Sequence, residues 1–307
     1  MHLKRVGDFH PVRIDSFVLH PYEFFFQSGR RRGVLIHLID EKGTRASGDV
    51  APLPGWSRET LEESIAELNE KKQDIIDINW SSDSCFEDLA KLNLLPSVMF
   101  GLESALLSIL DPLPEFTPLV SAFLMGSPDQ ILELAKLRQS EGFTSAKLKV
   151  SHLSFSEAAQ VIYALKDRFR LRIDVNRVWE TEEALRFFAQ FPLDAFDYVE
   201  EPFKNPHDLR VFTHPLAVDE SFPQNLSLSD LESLPTLRAL VYKPTIQGGM
   251  VKALPLRDWT KKRGISLVLS SSYESDVGHA HIACMAYRLK LLAPVGIGTR
   301  LICNDFA

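Results

Sequence analysis

Charged residues close a series of apolar, strand-like segments in the second half of this chain, and they do so at a steady stride. Lys147 and Lys149 stand in Ala-Lys-Leu-Lys-Val, Asp174 ends Leu-Arg-Ile-Asp, Glu200 ends Tyr-Val-Glu, Asp219 ends Ala-Val-Asp, and Lys243 follows Val-Tyr. From Lys149 onward the steps are 25, 26, 19 and 24 residues. A strand, a helix and two short loops fill about that length, so each charge is expected to end one strand of a repeating β/α structure. In a parallel barrel those ends gather on one mouth. Three carboxylates ringed by lysines are too costly there as scaffolding unless a cation balances them. The pattern predicts a metal-dependent enzyme.

Apolar strands are predicted at residues 118–124, 145–150, 171–175, 195–200, 216–219, 239–243 and 265–270, with a short eighth at 294–298. Helices predicted at 128–140, 154–169, 181–190, 205–212, 249–263 and 277–291 alternate with them, nearly all amphipathic by spacing. The expected fold class is α/β, a TIM-like barrel of (β/α)7β type over residues 111–298. Residues 1–110 read instead as an α+β capping domain. It has strands at 12–20, 33–40 and 43–50, a Pro/Gly turn at 51–55, and helices near 85–92 and 96–110. Ser57 is expected to precede another helix, with Glu59 in its first turn and Leu61, Ile65 and Leu68 on one face. Residues 299–307 are expected to form a tail returning toward that domain. An open doubly wound sheet is the alternative, but no Gly-x-Gly-x-x-Gly or Walker-type loop supports it.

At 307 residues the chain has room for one barrel and a smaller domain. A net charge of −7 argues against a nucleic-acid partner. The one dense basic run, Arg30 to Arg32, reads as a solvated loop. Cys85, Cys284 and Cys303 lack the pairing or spacing of a disulfide framework or zinc site. Residues 1–10 have no apolar core like that of a signal peptide, and no apolar run is long enough to cross a bilayer. A cytoplasmic protein acting on a small molecule, without nucleic-acid or membrane partner, is expected. The oligomeric state stays open, a monomer being compatible.

Lys147 and Lys149 are two apart, so on a strand both point to the same face. Mutual repulsion and burial should lower their pKa values toward the range of a general base. Asp174, Glu200 and Asp219, without His or Cys companions, suit a hard cation such as magnesium, with manganese as the alternative. Individually, each acid could instead be a helix N-cap. Asn176, Glu201 and Glu220 are their neighbours, and Asn176 is expected to support the site. Lys243 should face Lys149 across it. Ser270, Ser271 and Ser272 open a serine-rich loop able to hold an anionic part of a substrate, or a simple flexible turn. His279 and His281, two apart on a helix, cannot share one face, and at least one is expected to be exposed.

At these residues the chain resembles the muconate-lactonising subgroup of the enolase superfamily, and within it the o-succinylbenzoate synthase family of menaquinone biosynthesis. The segment Gly48-Asp-Val-Ala-Pro-Leu-Pro-Gly-Trp-Ser-Arg-Glu-Thr-Leu61 resembles the family's stretch after its second long strand. Lys147-Leu-Lys149, Asp174-Val-Asn176, Glu200-Glu-Pro202, Asp219-Glu-Ser221, Lys243-Pro-Thr245 and the loop Ser270–Ser275 are similar to its motifs, in order. Each motif is short; six in sequence at these intervals are specific. The resemblance implies an enolase-like cap over a barrel mouth, with the loops at 24–30 and 52–56 shaping the pocket. It further implies catalytic Lys149 and Lys243 with Lys147 beside them, metal ligands Asp174, Glu200 and Asp219, and substrate contacts from the serine loop. The implied reaction is syn dehydration of 2-succinyl-6-hydroxy-2,4-cyclohexadiene-1-carboxylate to 2-succinylbenzoate. N-succinylamino acid racemase activity is the nearest alternative on the same scaffold. A non-catalytic metal-binding barrel is the alternative of another class. The segment after the last strand, Gly296-Ile-Gly-Thr-Arg300, lacks the paired acids expected of a dipeptide epimerase.

Overall fold

The computed structural model describes residues 11–26 and 29–298; the expected tail at 299–307 and Cys303 fall outside them. Strands β1 (Ile14–Phe26), β2 (Gly29–Asp40) and β3 (Arg45–Val50) form an antiparallel sheet in chain order. Alternation drives it: Val34, Ile36 and Leu38 lie on one face of β2 and are fully buried. The β1–β2 hairpin is longer than expected, pairing from Phe17↔Leu38 out to Phe26↔Gly29. Aromatic residues at 22 and 24–26 favour extended backbone, and the Tyr22 hydroxyl donates to Asp49 Oδ1 at 2.8 Å. The arginine run is therefore strand rather than loop, and Arg31 is buried, which corrects the solvated-loop expectation.

Helices α1 (Leu61–Asp77), α2 (Cys85–Leu92) and α3 (Pro96–Leu110) follow. The N-cap of α1 is Thr60, in a capping box with Glu63, and not Ser57. Ser57 instead accepts from the Leu53 N–H at 2.9 Å, and buried Glu59 accepts from the Ser97 N–H at 2.9 Å. A local turn bond and a tertiary bond thus occupy the two residues, and the helix starts beyond them.

Helix α3 is apolar nearly all round because both of its sides are buried. Val98, Met99, Leu102, Ala105 and Leu106 join the cap's core, while Phe100 and Leu107 join the barrel's. The α3 backbone meets β3 so closely that a Cβ on Gly101 would sit 2.5 Å from Val50 Cγ2 and 2.8 Å from the Asp49 carbonyl oxygen. Gly101→Ala is accordingly expected to cost about 1–3 kcal/mol of stability, read as a lower urea midpoint. An unchanged midpoint would show that the two elements can separate freely.

The remaining strands, β4 (Ala122–Leu124), β5 (Ser145–Lys149), β6 (Arg170–Asp174), β7 (Tyr198–Glu200), β8 (Leu216–Val218), β9 (Leu237–Tyr242) and β10 (Ser266–Leu269), form one parallel sheet in sequence order. Between them lie α4 (Pro128–Ser140), α5 (Phe155–Leu165), α6 (Thr181–Phe188), a 3-10 turn at Pro206–Val211, α7 (Ser221–Gln224), α8 (Leu228–Glu232), α9 (Pro244–Gln247) and α10 (Met250–Arg263). Helix α11 (Asp276–Arg288) follows β10. The short eighth strand survives only as two bridges, Val120↔Val295 and Ser270↔Gly296. Four backbone hydrogen bonds of 2.8–3.0 Å at Val295 and Gly296 stitch the two edges together. This closure excludes the open doubly wound alternative.

Ala146, Leu148, Leu171, Ile173, Leu240 and Tyr242 pack outward with the helices. Tyr198, Ala217, Ala239, Val241 and Val268 form a separate small cluster. Below the mouth Arg172 donates to Asp197 Oδ2 and to the Pro294 carbonyl, each at 2.9 Å. Among the described residues no helix is long and apolar enough to cross a membrane.

Candidate active site

Parallel pairing carries the charged stations to one mouth. Lys149 aligns with Asp174 and Asp174 with Glu200, each the last residue of its strand. Asp219 and Lys243 come directly after β8 and β9. Asp174, Glu200 and Asp219 are at most 2% exposed. Lys147 Nζ donates to Glu200 Oε1 at 2.6 Å and lies 2.9 Å from Asp174 Oδ2. Lys149 Nζ donates to Asn176 Oδ1 at 2.9 Å and stands 3.6 Å from Asp174 Oδ2. On the other flank Lys243 Nζ donates to Asp219 Oδ2 and lies 5.5 Å from the Trp56 ring centroid, a cation–π contact with the cap.

Buried carboxylates outnumber the lysines here. Asp174, Glu200 and Asp219 meet Lys147, Lys149 and Lys243, and the adjacent Glu201 and Glu220 are buried as well. Burial pushes Glu200 up to about 8, with Lys147 opposing and Asp174 and Asp219 adding to the rise. Burial likewise raises Glu220 to about 8, helped by Asp219 and Glu201. For Asp174 burial works upward, but Lys147 and Lys149 prevail and hold it below its ordinary range. The expected lowering of the Lys147 pKa is overturned. Burial does favour its neutral form, yet Asp174, Glu200 and Asp219 outweigh burial and lift it well above the usual value. Three acids close to one amine outweigh its burial.

A hard divalent cation suits this surplus. Asp174 Oδ2 is buried without a hydrogen-bond partner, although Lys147 lies within ion-pair distance. The donors are all carboxylate oxygens, as magnesium or manganese prefers. Among the described residues no three His, Cys, Asp or Glu groups stand drawn together as a finished metal cage. The three acids are turned toward lysines instead.

Neighbours hold the stations in place. Glu201 accepts from the Asp219 N–H at 2.8 Å, from the Ser221 N–H at 2.9 Å and from the Ser221 hydroxyl at 2.5 Å. It organises the turn after β8 rather than pairing with a lysine. The Asn176 N–H donates to Asp174 Oδ1 at 3.0 Å, so Asn176 ties that acid to Lys149.

These groups border a cavity of about 220 Å³. Lys147, Lys149, Asp174, Asn176 and Lys243 line it together with Ser270, Ser271 and Ser272. Ser272 Oγ is buried without a hydrogen-bond partner, as a hydroxyl reserved for a ligand would be. From the cap come Leu53 and Trp56, but no described residue of segment 24–30. Phe123, in the middle of β4, and Tyr273, within the serine-rich loop, also line it; nothing in a lone aromatic residue of a sequence marks it as wall rather than core. His279 is buried and His281 donates to the Ser47 carbonyl at 2.7 Å, so the expected exposed histidine is absent.

Residues 130–294 match the enolase C-terminal domain-like family, and residues 26–109 match the MenC N-terminal domain. An o-succinylbenzoate synthase of Vibrio cholerae is 31% identical over 274 residues, 85% of this chain and 79% of the relative. The chain belongs to the o-succinylbenzoate synthase family. As a member it falls in a lyase class within the enolase superfamily. A crystal structure of o-succinylbenzoate synthase from Thermosynechococcus elongatus, complexed with magnesium in its active site, has a TM-score of 0.70 and 24% identity. It covers 93% of this chain and 92% of its own. A dipeptide epimerase from Enterococcus faecalis, at 16% identity and a TM-score of 0.79 over 95% of this chain and 92% of its own, shares the fold.

Proposed function

We propose that this protein dehydrates 2-succinyl-6-hydroxy-2,4-cyclohexadiene-1-carboxylate to 2-succinylbenzoate, with Asp174, Glu200 and Asp219 holding magnesium. The observation that carries this reading is the placement of Lys149 and Lys243 on opposite flanks of a buried carboxylate trio, all but Glu200 and Asp219 lining one cavity. When bound, the cation shares the negative charge that develops on the substrate carboxylate.

Lys149 is the better base of the adjacent pair. Lys147 is gripped by Asp174 and Glu200, whereas Lys149 has one neutral hydrogen-bond partner, Asn176, and a longer ion pair. Its neutral amine takes the proton from the ring carbon bearing the carboxylate. The C–O bond on the neighbouring ring carbon then breaks. The new ammonium of Lys149 gives its proton to the departing hydroxide, so water leaves from the face where the proton was removed. Lys243, opposite, steadies the anionic ring by charge. Ser270, Ser271 and Ser272 offer polar contacts to the succinyl chain.

The same opposed lysines would also permit proton exchange on both faces of an α-carbon, so N-succinylamino acid racemase activity is the second reading. Incubation with the cyclohexadiene and magnesium, following loss of diene absorbance, separates them. Turnover is expected. No turnover, with exchange of the α-proton of N-succinyl amino acids instead, would favour the racemase; neither would favour a binding barrel.

A further inference from the structure

The serine loop is held from the cap as well as from within. Tyr273 adopts a left-handed conformation with φ of 60°, which costs a non-glycine residue about 1 kcal/mol or more. Its carbonyl accepts from Arg31 Nε at 3.1 Å, a donor from the cap. The same guanidinium donates from Nη1 to the Pro52 carbonyl at 2.7 Å and from Nη2 to the Ala51 carbonyl. It thus joins the loop after β10 to the cap segment that carries Leu53 and Trp56 to the cavity.

One turn on, Asp49 of β3 makes a second tie. Fully buried, its Oδ2 accepts from both the Ser275 N–H, at 2.9 Å, and the Ser275 hydroxyl, at 2.7 Å, while Oδ1 accepts from Tyr22. Gly278 of α11 leaves room for this, since a Cβ there would lie 2.6 Å from Asp49 Oδ2. Between the two ties, Glu274 accepts from the Ser272 N–H at 2.6 Å and from the Thr245 hydroxyl at 2.7 Å, the latter just beyond Lys243.

We propose that Asp49 and Arg31 are positioning residues of the cap that set the substrate-contacting serine loop, so that cap and barrel together determine how tightly the substrate is held. This rests on the reading of the cavity as the dehydration site. Three hydrogen bonds cross from cap to loop, two from Ser275 to Asp49 and one from Arg31 to the Tyr273 carbonyl, and the bonds within the cap from Tyr22 to Asp49 and from Arg31 to Ala51 and Pro52 brace both residues. Neither group lines the cavity.

The test compares Asp49→Ala, Asp49→Asn and Ser275→Ala in the full chain, by steady-state kinetics on the cyclohexadiene and by hydrogen exchange of segment 270–275. Asparagine can still accept from Ser275 and donate to Tyr22, so it should restore most of what alanine loses. For Asp49→Ala we expect KM to rise roughly ten- to hundredfold with a smaller change in kcat, and faster amide exchange across 272–275. Ser275→Ala, which should fold regardless, should move both readouts the same way by less. Wild-type exchange rates in the alanine variants would overturn the proposal, as would an asparagine variant as impaired as alanine, or a loss confined to kcat. If the wild-type enzyme leaves the diene untouched, the reaction assignment fails, and exchange across the segment still decides whether the clamp exists.

Discussion

Lys149→Ala is expected to lower kcat for dehydration by roughly 10²- to 10⁴-fold, the range for losing a general acid and base. Removing the amine deletes one hydrogen bond, to Asn176, and leaves the strand's outward packing through Ala146 and Leu148 intact. The fold should therefore persist. Lys147 is a poor substitute, because Asp174 and Glu200 hold it protonated. Cation binding should be unchanged or tighter, since a positive charge 3.6 Å from Asp174 has gone. Single-turnover absorbance and calorimetric titration of magnesium check the two halves separately. Appreciable turnover in the variant would move the base elsewhere.

Asp219→Asn carries the second large effect. Asparagine keeps the shape of the turn, whose backbone Glu201 fixes, but removes the charge that faces Lys243 and is proposed to face the metal. Magnesium affinity should fall by at least roughly 10- to 100-fold, the loss seen for groups that only support a metal ligand. Activity should then recover in part at high magnesium. The measurement is the magnesium concentration for half-maximal rate; a value equal to the wild type's would remove Asp219 from the ligand set.

The barrel and its charged mouth were legible because their signals are local. Apolar runs of strand length and the acid or lysine at each end can be read without knowing what packs where. Position in a parallel sheet then follows from strand direction alone, which is how Asp174, Glu200 and Asp219 arrive as neighbours. What stayed hidden depends on partners distant in sequence. Arg31 looks like one of three surface arginines until Ala51, Pro52 and Tyr273 are seen around it. Asp49 sits in a short strand and gives no hint that Ser275, 226 residues away, is its partner. The upward direction of the Lys147 pKa is hidden for a related reason: one segment shows its lysine neighbour, and only the fold shows the acids around it. Ser57 is the local exception: the Leu53 N–H, four residues back, donates to the hydroxyl that would otherwise cap a helix.

The central claim is that three carboxylates from adjacent strands share one divalent cation between two opposed lysines. Diffraction from crystals grown with manganese, using its anomalous scattering, tests it most directly. We predict one strong peak in contact with Asp174, Glu200 and Asp219, with Lys149 and Lys243 on either side. A peak elsewhere in the molecule, or none at saturating manganese, would contradict it.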